Sequence, residues 1–193
     1  MIIYAVIPTG NRPEDYASVI EWCYNSGVTP VTIATSEEAQ VYAEDVWIPD
    51  STLNISRWWN KGINYALSQG DADAILILND DVVLPDGWLY KIVRAILDGN
   101  TGASADRTDG YGMISGYAFG LNPKDNVLCD ENLVWWYGDD DIQRQCEALN
   151  GFAIIESEPV ENKYGDSSQS RMREQIQLDQ TYYENKWGLK IWS

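Results

Sequence analysis

Residues Ala74-Ile75-Leu76-Ile77-Leu78 form an unbroken apolar run that ends abruptly in Asn79-Asp80-Asp81-Val82. A run without polar alternation is buried on both faces, as in a central strand of a parallel sheet. In open α/β sheets, ligands bind in the crevice beyond the carboxyl ends of such strands. One segment therefore constrains both the fold and the place of a site, because the acidic cluster lies where a ligand belongs. Adjacent carboxylates in a chain of net charge −17 repel one another unless a cation joins them. A divalent ion with oxygen ligands is the usual partner, so the segment reads as part of a metal-dependent site.

The flanking sequence alternates between strand and helix patterns. Ile2 to Ile7 is an apolar strand closed by the polar turn Pro8-Thr9-Gly10-Asn11-Arg12-Pro13, which leads into a helical pattern from Glu14 to Asn25. Thr29 to Thr35 reads as a second strand, Ser36 caps a short helix through Tyr42, and Val46 to Ile48 is a brief third strand. Helical periodicity from Ser56 to Ser68 runs through Trp59, Ile63 and Leu67, stops near Gly70, and delivers the chain to the central strand at Ala72 to Leu78. Asp86 or Gly87 opens a further helix that ends at Leu97. Between Gly99 and Asn132 frequent glycines and short alternating runs such as Tyr111 to Leu121 predict hairpins, read as a lid or acceptor-side region. Asp139-Asp140-Asp141 begins a helix to about Leu149, Phe152 to Glu156 is a strand, and Arg171 to Trp187 is an amphipathic helix that packs through Ile176, Tyr183 and Trp187. The expectation is an α/β fold: one Rossmann-like domain over 1–193, with a mostly parallel central sheet flanked by helices and a small hairpin or lid region.

Composition narrows the chemistry. The chain has no histidine, which excludes histidine-based zinc sites, Ser-His-Asp triads and a histidine base, so catalysis would rest on carboxylates. With 30 acidic against 13 basic side chains, the surface repels nucleic-acid phosphates and anionic membrane faces. A small phosphorylated ligand carried by a metal is still compatible with that charge. No stretch approaches the roughly 20 apolar residues of a membrane span, and Met1 to Ile7 is too short and uncharged for a signal peptide. Cys23, Cys129 and Cys146 lack both disulfide pairing and metal-site spacing, which fits a reducing compartment and a cytoplasmic location. Nine tryptophans and twelve tyrosines mostly serve a core, but flat amphipathic rings are also platforms for sugars.

Asp139-Asp140-Asp141 invites two readings. Acids at a helix start cap free N–H groups and favour the positive end of the macrodipole. Capping needs one side chain, however, and three consecutive carboxylates point in different directions. One can face a cleft lined by Trp135 or Trp136 and accept a proton from an acceptor hydroxyl. Pro8-Thr9-Gly10-Asn11-Arg12 closes the first strand, where a loop backbone and a helix N-terminus commonly cradle a nucleotide. It is neither a Walker loop nor a Gly-x-Gly-x-x-Gly turn, since Gly10 stands alone. Asn54, Ser56 and Asn60 read equally well as helix-start polar groups or as ligand contacts.

The order of these parts resembles the GT-A class of nucleotide-sugar glycosyltransferases, especially family 2-like and rhamnosyltransferase-like members. Ile3-Tyr4-Ala5-Val6-Ile7-Pro8-Thr9 is similar to the family's opening strand and nucleotide loop, and Asn60-Lys61-Gly62-Ile63-Asn64-Tyr65-Ala66 to its Asn-x-Gly-Ile helix. Ile77-Leu78-Asn79-Asp80-Asp81-Val82 with Pro85-Asp86-Gly87-Trp88-Leu89 resembles its Asp-x-Asp-like metal motif and the helix entry behind it. Trp136-Tyr137-Gly138-Asp139-Asp140-Asp141-Ile142 with Arg144 resembles the motif whose first or second acid is the catalytic base in inverting members. Tyr182 to Gly188 resembles a closing Lys-Trp-Gly segment.

The resemblance implies an inverting glycosyltransferase that moves a sugar from a nucleotide-diphosphate sugar to a glycan or protein acceptor, with no nucleic-acid partner. Asp81 would hold Mn2+ or Mg2+, Asn79 would occupy the first position of the metal motif with Asp80 beside it, and Pro8, Thr9, Arg12 and Asn60 would lie near the nucleotide. Asp139 would be the base, with Asp140 as the alternative. Residues 1–98 would form the nucleotide-sugar half, and 99–193 the acceptor side with the C-terminal helix. Two departures stand out: Asn79 replaces the more usual first aspartate, and Glu161 or Asn162 stands where many relatives place a metal-binding histidine. Oxygen ligands suit manganese or magnesium. The rival readings are a sugar-phosphate nucleotidyltransferase and a non-catalytic carbohydrate-binding module with calcium-binding acids.

Overall fold

The computed structural model describes residues 1–10, 13–34, 46–105, 113–163 and 172–191. The expected helix from Ser36 to Tyr42 and the side chain of Arg12 lie outside the described residues. In chain order the elements are β1 (Ile3–Thr9), α1 (Pro13–Asn25), β2 (Thr29–Ala34), β3 (Val46–Pro49), α2 (Ile55–Gln69), β4 (Ala74–Leu78), β5 (Val82–Val83), α3 (Trp88–Leu97), β6 (Gly102–Ser104), β7 (Ala118–Leu121), α4 (Gly138–Ala148), β8 (Phe152–Ile154), β9 (Glu161–Asn162) and α5 (Arg173–Trp187). A short 3-10 turn, Pro123–Asp125, follows β7.

Seven strands form one sheet in the order β3-β2-β1-β4-β7-β6-β8, and β5 pairs with β9 in a separate ribbon. The β1–β2, β1–β4, β2–β3 and β6–β8 pairs are parallel, whereas β7 runs antiparallel to both β4 and β6. The glycine-rich segment does supply an antiparallel hairpin, with Gly102 opposite Leu121. Its strands are built into the central sheet, because β7 lies along β4 with Leu78 opposite Ala118. Pro8 and Thr9, expected as a turn, instead extend β1 against Ile33 and Ala34. The β1–β4 ladder has already ended at Val6 opposite Ile77, so Pro8 is paired on one side only, where its lack of an N–H is tolerated.

Both faces of the sheet are covered. On β4, Ala74, Leu76 and Leu78 join a cluster with Tyr16, Val19 and Ile20 of α1 and Trp88, Ile92 and Ile96 of α3. Ile75 and Ile77 join the opposite cluster with Trp58, Trp59 and Ile63 of α2 and Ile142 and Cys146 of α4. Each fully buried aliphatic side chain contributes on the order of 1.5–3 kcal/mol. Among the described residues, no helix is long and apolar enough to cross a membrane.

Helix α2 starts at Asn54, whose side chain accepts from the Arg57 N–H, and ends at Gly70 in the left-handed conformation. It lies very close to β1: a Cβ on Gly62 would stand 2.2 Å from Cγ1 of Val6. Gly62→Ala gains about 1 kcal/mol of helix propensity, but the overpacking it forces costs about 1–3 kcal/mol or more. A net loss of stability is expected, read as a lower urea midpoint at constant slope. An unchanged midpoint would show that α2 can move off β1.

Candidate functional site

The chain passes from β1 to β2 on one side, whereas β4 lies on the other, so the carboxyl ends of β1 and β4 meet at the topological switch point. There the Thr9 hydroxyl, 2% exposed, donates to Oδ2 of Asp80 at 2.8 Å. The Asn79 N–H donates to the Tyr117 carbonyl at 2.8 Å, which carries β4's pairing with the β7 side one residue past Leu78. Pro8, Thr9, Asn79 and Asp80 are thus gathered at one strand-end edge. Asn79 and Asp80 are half-buried, whereas Asp81 is buried at 3% exposure.

Asp81 owes its surroundings to the β5–β9 ribbon. Val82 pairs with Asn162 and Val83 with Glu161, which delivers the Asn162 side chain to the carboxylate. With its amide nitrogen turned inward, Asn162 donates to Oδ1 and Oδ2 of Asp81 at 3.2 Å and 3.1 Å. The Lys163 N–H donates to the Asp81 carbonyl at 3.2 Å, and the Lys163 ammonium pairs with Asp15 of α1 at 3.0 Å. Of the two residues expected in place of a late histidine, Asn162 faces the acid, and Glu161 is exposed.

The three acids at the start of α4 have separate surroundings. The N-cap is Tyr137, in the left-handed region at φ 64° and without a side-chain cap bond, so the helix start is not capped by a carboxylate at that position. Asp139 is half-buried and lies against Gly116, where a Cβ would stand 2.7 Å from its Oδ2. Gly116 precedes Tyr117, whose carbonyl holds the Asn79 N–H, so two consecutive residues link Asp139 to the end of β4. Asp140 is pushed up to about 8 by burial and then by the neighbouring Asp139 charge, against an opposing pull from Arg144. Asp141 is fully buried and accepts from Trp187 Nε1 at 3.0 Å, Gln145 Nε2 at 2.8 Å and Lys186 Nζ at 2.7 Å. It fastens α4 to α5.

Other polar residues have structural partners. Asn60 is 5% exposed, and both ends of its amide bond to the Cys129 backbone, donating to the carbonyl and accepting from the N–H at 2.8 Å each. It also donates to Glu131 at 3.1 Å. Asn60 thereby pins the 129–131 loop. Ser56 donates to the Leu133 carbonyl at 2.5 Å, and Trp135 packs edge-on against Trp58 at 5.8 Å.

Two acids were not singled out in the sequence. Asp50, at the end of β3, pairs with Lys61 at 2.5 Å and Arg57 at 3.2 Å. Its burial acts to raise the carboxyl, but Lys61 and Thr52 outweigh that and hold it below the usual range. Asp179 of α5, 1% exposed, accepts from the N–H groups of Val134, Trp135 and Trp136. Its sequence signal is a carboxylate four residues before Tyr183, on the packing stripe of an amphipathic helix.

Among the described residues, no three His, Cys, Asp or Glu side chains converge as a self-sufficient metal site. The carboxylate oxygens of Asp81 and Asp80 nevertheless suit magnesium or manganese, which are commonly held by one or two carboxylates with substrate phosphates completing the shell; Asn162 turns its amide nitrogen to Asp81 and acts as a hydrogen-bond donor there.

A sequence profile of glycosyl transferase family 2 matches residues 49–155. The mannosyltransferase PcManGT from Pyrobaculum calidifontis, solved with GDP-Man and Mn2+, superposes with a TM-score of 0.70 at 11% identity, covering 95% of this chain and 64% of that one. S. aureus TarS 1-349 superposes at 0.59 and 12% identity, covering 96% and 66%, and S. aureus TarS at 0.58 and 12%, covering 96% and 40%. The chain therefore spans less than two thirds of the length of each, and at such identity the likeness is one of the GT-A fold. No curated protein sequence matches. Because the profile covers more than half of the sequence, from the end of β3 through the strand-end acids and α4 to just past β8, the chain belongs to glycosyl transferase family 2.

Proposed function

We propose that the protein is an inverting glycosyltransferase that moves a sugar from a nucleotide-diphosphate sugar to the hydroxyl of a glycan or protein acceptor. The observation that carries this reading is the contact of Asp139 with Gly116, next to the residue whose carbonyl holds Asn79. This contact supports Asp139 as the carboxylate base working near the end of β4. Family membership favours this reading over a nucleotidyltransferase or a carbohydrate-binding module.

In this mechanism the nucleotide lies over the ends of β1 and β4, against Pro8 and Thr9, with Asp80 oriented by Thr9. Asp81, with Asn162 beside it, would hold Mn2+ or Mg2+, which when bound supplies positive charge to the departing diphosphate. Asp139 accepts the acceptor's proton as the acceptor oxygen bonds to the anomeric carbon and the bond to the diphosphate breaks on the opposite face. That displacement inverts the sugar. Asp140 retains its proton further up the pH scale than an ordinary carboxyl, which limits repulsion beside the charged base. Residues 1–98 form the donor half and 99–193 the acceptor half of one domain. Buried free thiols at Cys23, Cys129 and Cys146 support a reducing, cytoplasmic setting.

Asp139→Asn is expected to lose about 10²–10⁴-fold in transfer rate while retaining donor binding, measured as nucleotide release from a panel of UDP-, GDP- and dTDP-sugars. Turnover at the normal rate would remove Asp139 as the base. Asp81→Ala is expected to abolish the extra thermal stabilisation that Mn2+ adds to UDP or GDP binding, and persistence of that increment would refute the assignment.

Asp140 also makes a pH prediction. Its folded-state pKa is raised from 3.8 to about 8, so over that interval the fold keeps a proton that the unfolded chain has released. The fold therefore loses stability as pH rises through this window. Asp140→Asn should raise the melting temperature relative to the parent at pH 8 and not at pH 4. Equal gains at both would locate the effect in packing rather than charge.

A further inference from the structure

Helix α5 buries only Asp179 and Tyr183 along its length. Its attachment is mainly polar, and the contacts converge on residues 130–144, the segment that carries the α4 acids. Asp179 accepts from Val134 N–H at 3.1 Å through Oδ1, and from Trp135 and Trp136 N–H at 2.8 Å and 2.9 Å through Oδ2. Gln175, one turn earlier, donates to Oδ1 at 2.7 Å and steadies the carboxylate from its own helix. Tyr183 stacks on Tyr137 at 5.2 Å and accepts from Arg144 Nε at 2.5 Å. Lys186 bridges Asp130 at 2.9 Å and Asp141 at 2.7 Å.

A carboxylate with 1% exposure is costly unless its oxygens are satisfied. Here the partners are three successive backbone donors. Those donors belong to the turn that leads into Tyr137, the left-handed residue immediately before Gly138 and Asp139. A non-glycine residue at φ 64° persists only when its surroundings over-determine it. Asp179 holds the backbone on the N-terminal side of this strained residue, and Tyr183 holds its ring.

We infer that Asp179 is a positioning residue for sugar transfer, fixing the 134–136 turn so that Asp139 is aimed at the acceptor hydroxyl. This rests on the reading of Asp139 as base. An asparagine at 179 keeps the shape but has one acceptor oxygen instead of two, and it cannot satisfy the same three N–H groups. Displacement of a catalytic group by about 1 Å can cost about 10²-fold in rate.

The test compares Asp179→Asn, Lys186→Met, Asp139→Asn and the Asp179→Asn/Asp139→Asn pair, using nucleotide release from the same donor panel, thermal melts and amide hydrogen exchange over 133–139. Asp179→Asn is expected to exchange faster at 134–136 and to lose about 10²-fold in kcat with donor KM unchanged. Lys186→Met loosens α5 without touching the turn and is expected to keep kcat at a comparable fall in melting temperature. In the Asp139→Asn background, Asp179→Asn should cost nothing further. Normal kcat in Asp179→Asn, or an equal loss in Lys186→Met, while Asp139→Asn is inactive, overturns the positioning role and leaves the base in place. Full activity in Asp139→Asn removes the base, and with it the group that Asp179 would position. Should Asp179→Asn not fold, Gln175→Leu is expected to lower kcat several-fold at unchanged KM, and normal kcat there overturns the proposal.

Discussion

The ladder of β4 with β1 stops at Ile77 and that with β7 at Leu78, and the polar groups that follow must find partners outside those ladders. They do so in sequence: the Asn79 amide goes to the Tyr117 carbonyl, the Asp80 carboxylate to the Thr9 hydroxyl, and the Asp81 carboxylate to the Asn162 amide. Each bond recruits a different part of the chain, so a strand end becomes the meeting place of β1, β7 and the β5–β9 ribbon. Burial of β4 on both faces makes this edge rigid, because Leu76 and Ile77 are locked into opposite hydrophobic clusters.

Three adjacent aspartates at the start of α4 show how geometry divides chemically identical groups. Asp141 points into the interface with α5 and is satisfied by a lysine, an indole N–H and a glutamine. Asp140 is packed among like charges and low-dielectric surroundings, which raise its pKa despite Arg144. Asp139 alone lies against Gly116. A side chain at 116 would collide with that carboxylate, so the glycine is part of what brings α4 up to the sheet edge. For a chain this acidic, anchoring α5 through buried polar contacts places Lys186, one of its few cations, beside Asp130 and Asp141, two carboxylates that would otherwise repel one another.

Much of the architecture was legible from periodicity. The unbroken Ala74–Leu78 run, the strands and helices expected up to Leu97 among the described residues, and the helices near 138 and 173 appear with boundaries shifted by only a few residues. Two features rest on partners that local sequence does not reveal. Pro8 and Thr9 look like turn residues, but they are strand because β2 continues alongside them after β4 has stopped. Asn60 reads as a helix-start polar group or a ligand contact, and its amide bonds to the backbone of Cys129, 69 residues away in sequence. In each case the deciding partner is distant along the chain, and no local window contains it.

The sequence by itself determined where the central strand ends, since an unbroken apolar run stops at Leu78 and its first polar residues are Asn79, Asp80 and Asp81. It also excluded a histidine base or ligand, because the chain has no histidine. Only the tertiary structure decided that Asp139 lies against Gly116, that Asn162 rather than Glu161 meets Asp81, and that Asp179 holds the turn before Tyr137. Those outcomes depend on strand register and on the rotation of one helix against another. Both are set by packing between segments that local propensity and periodicity do not connect.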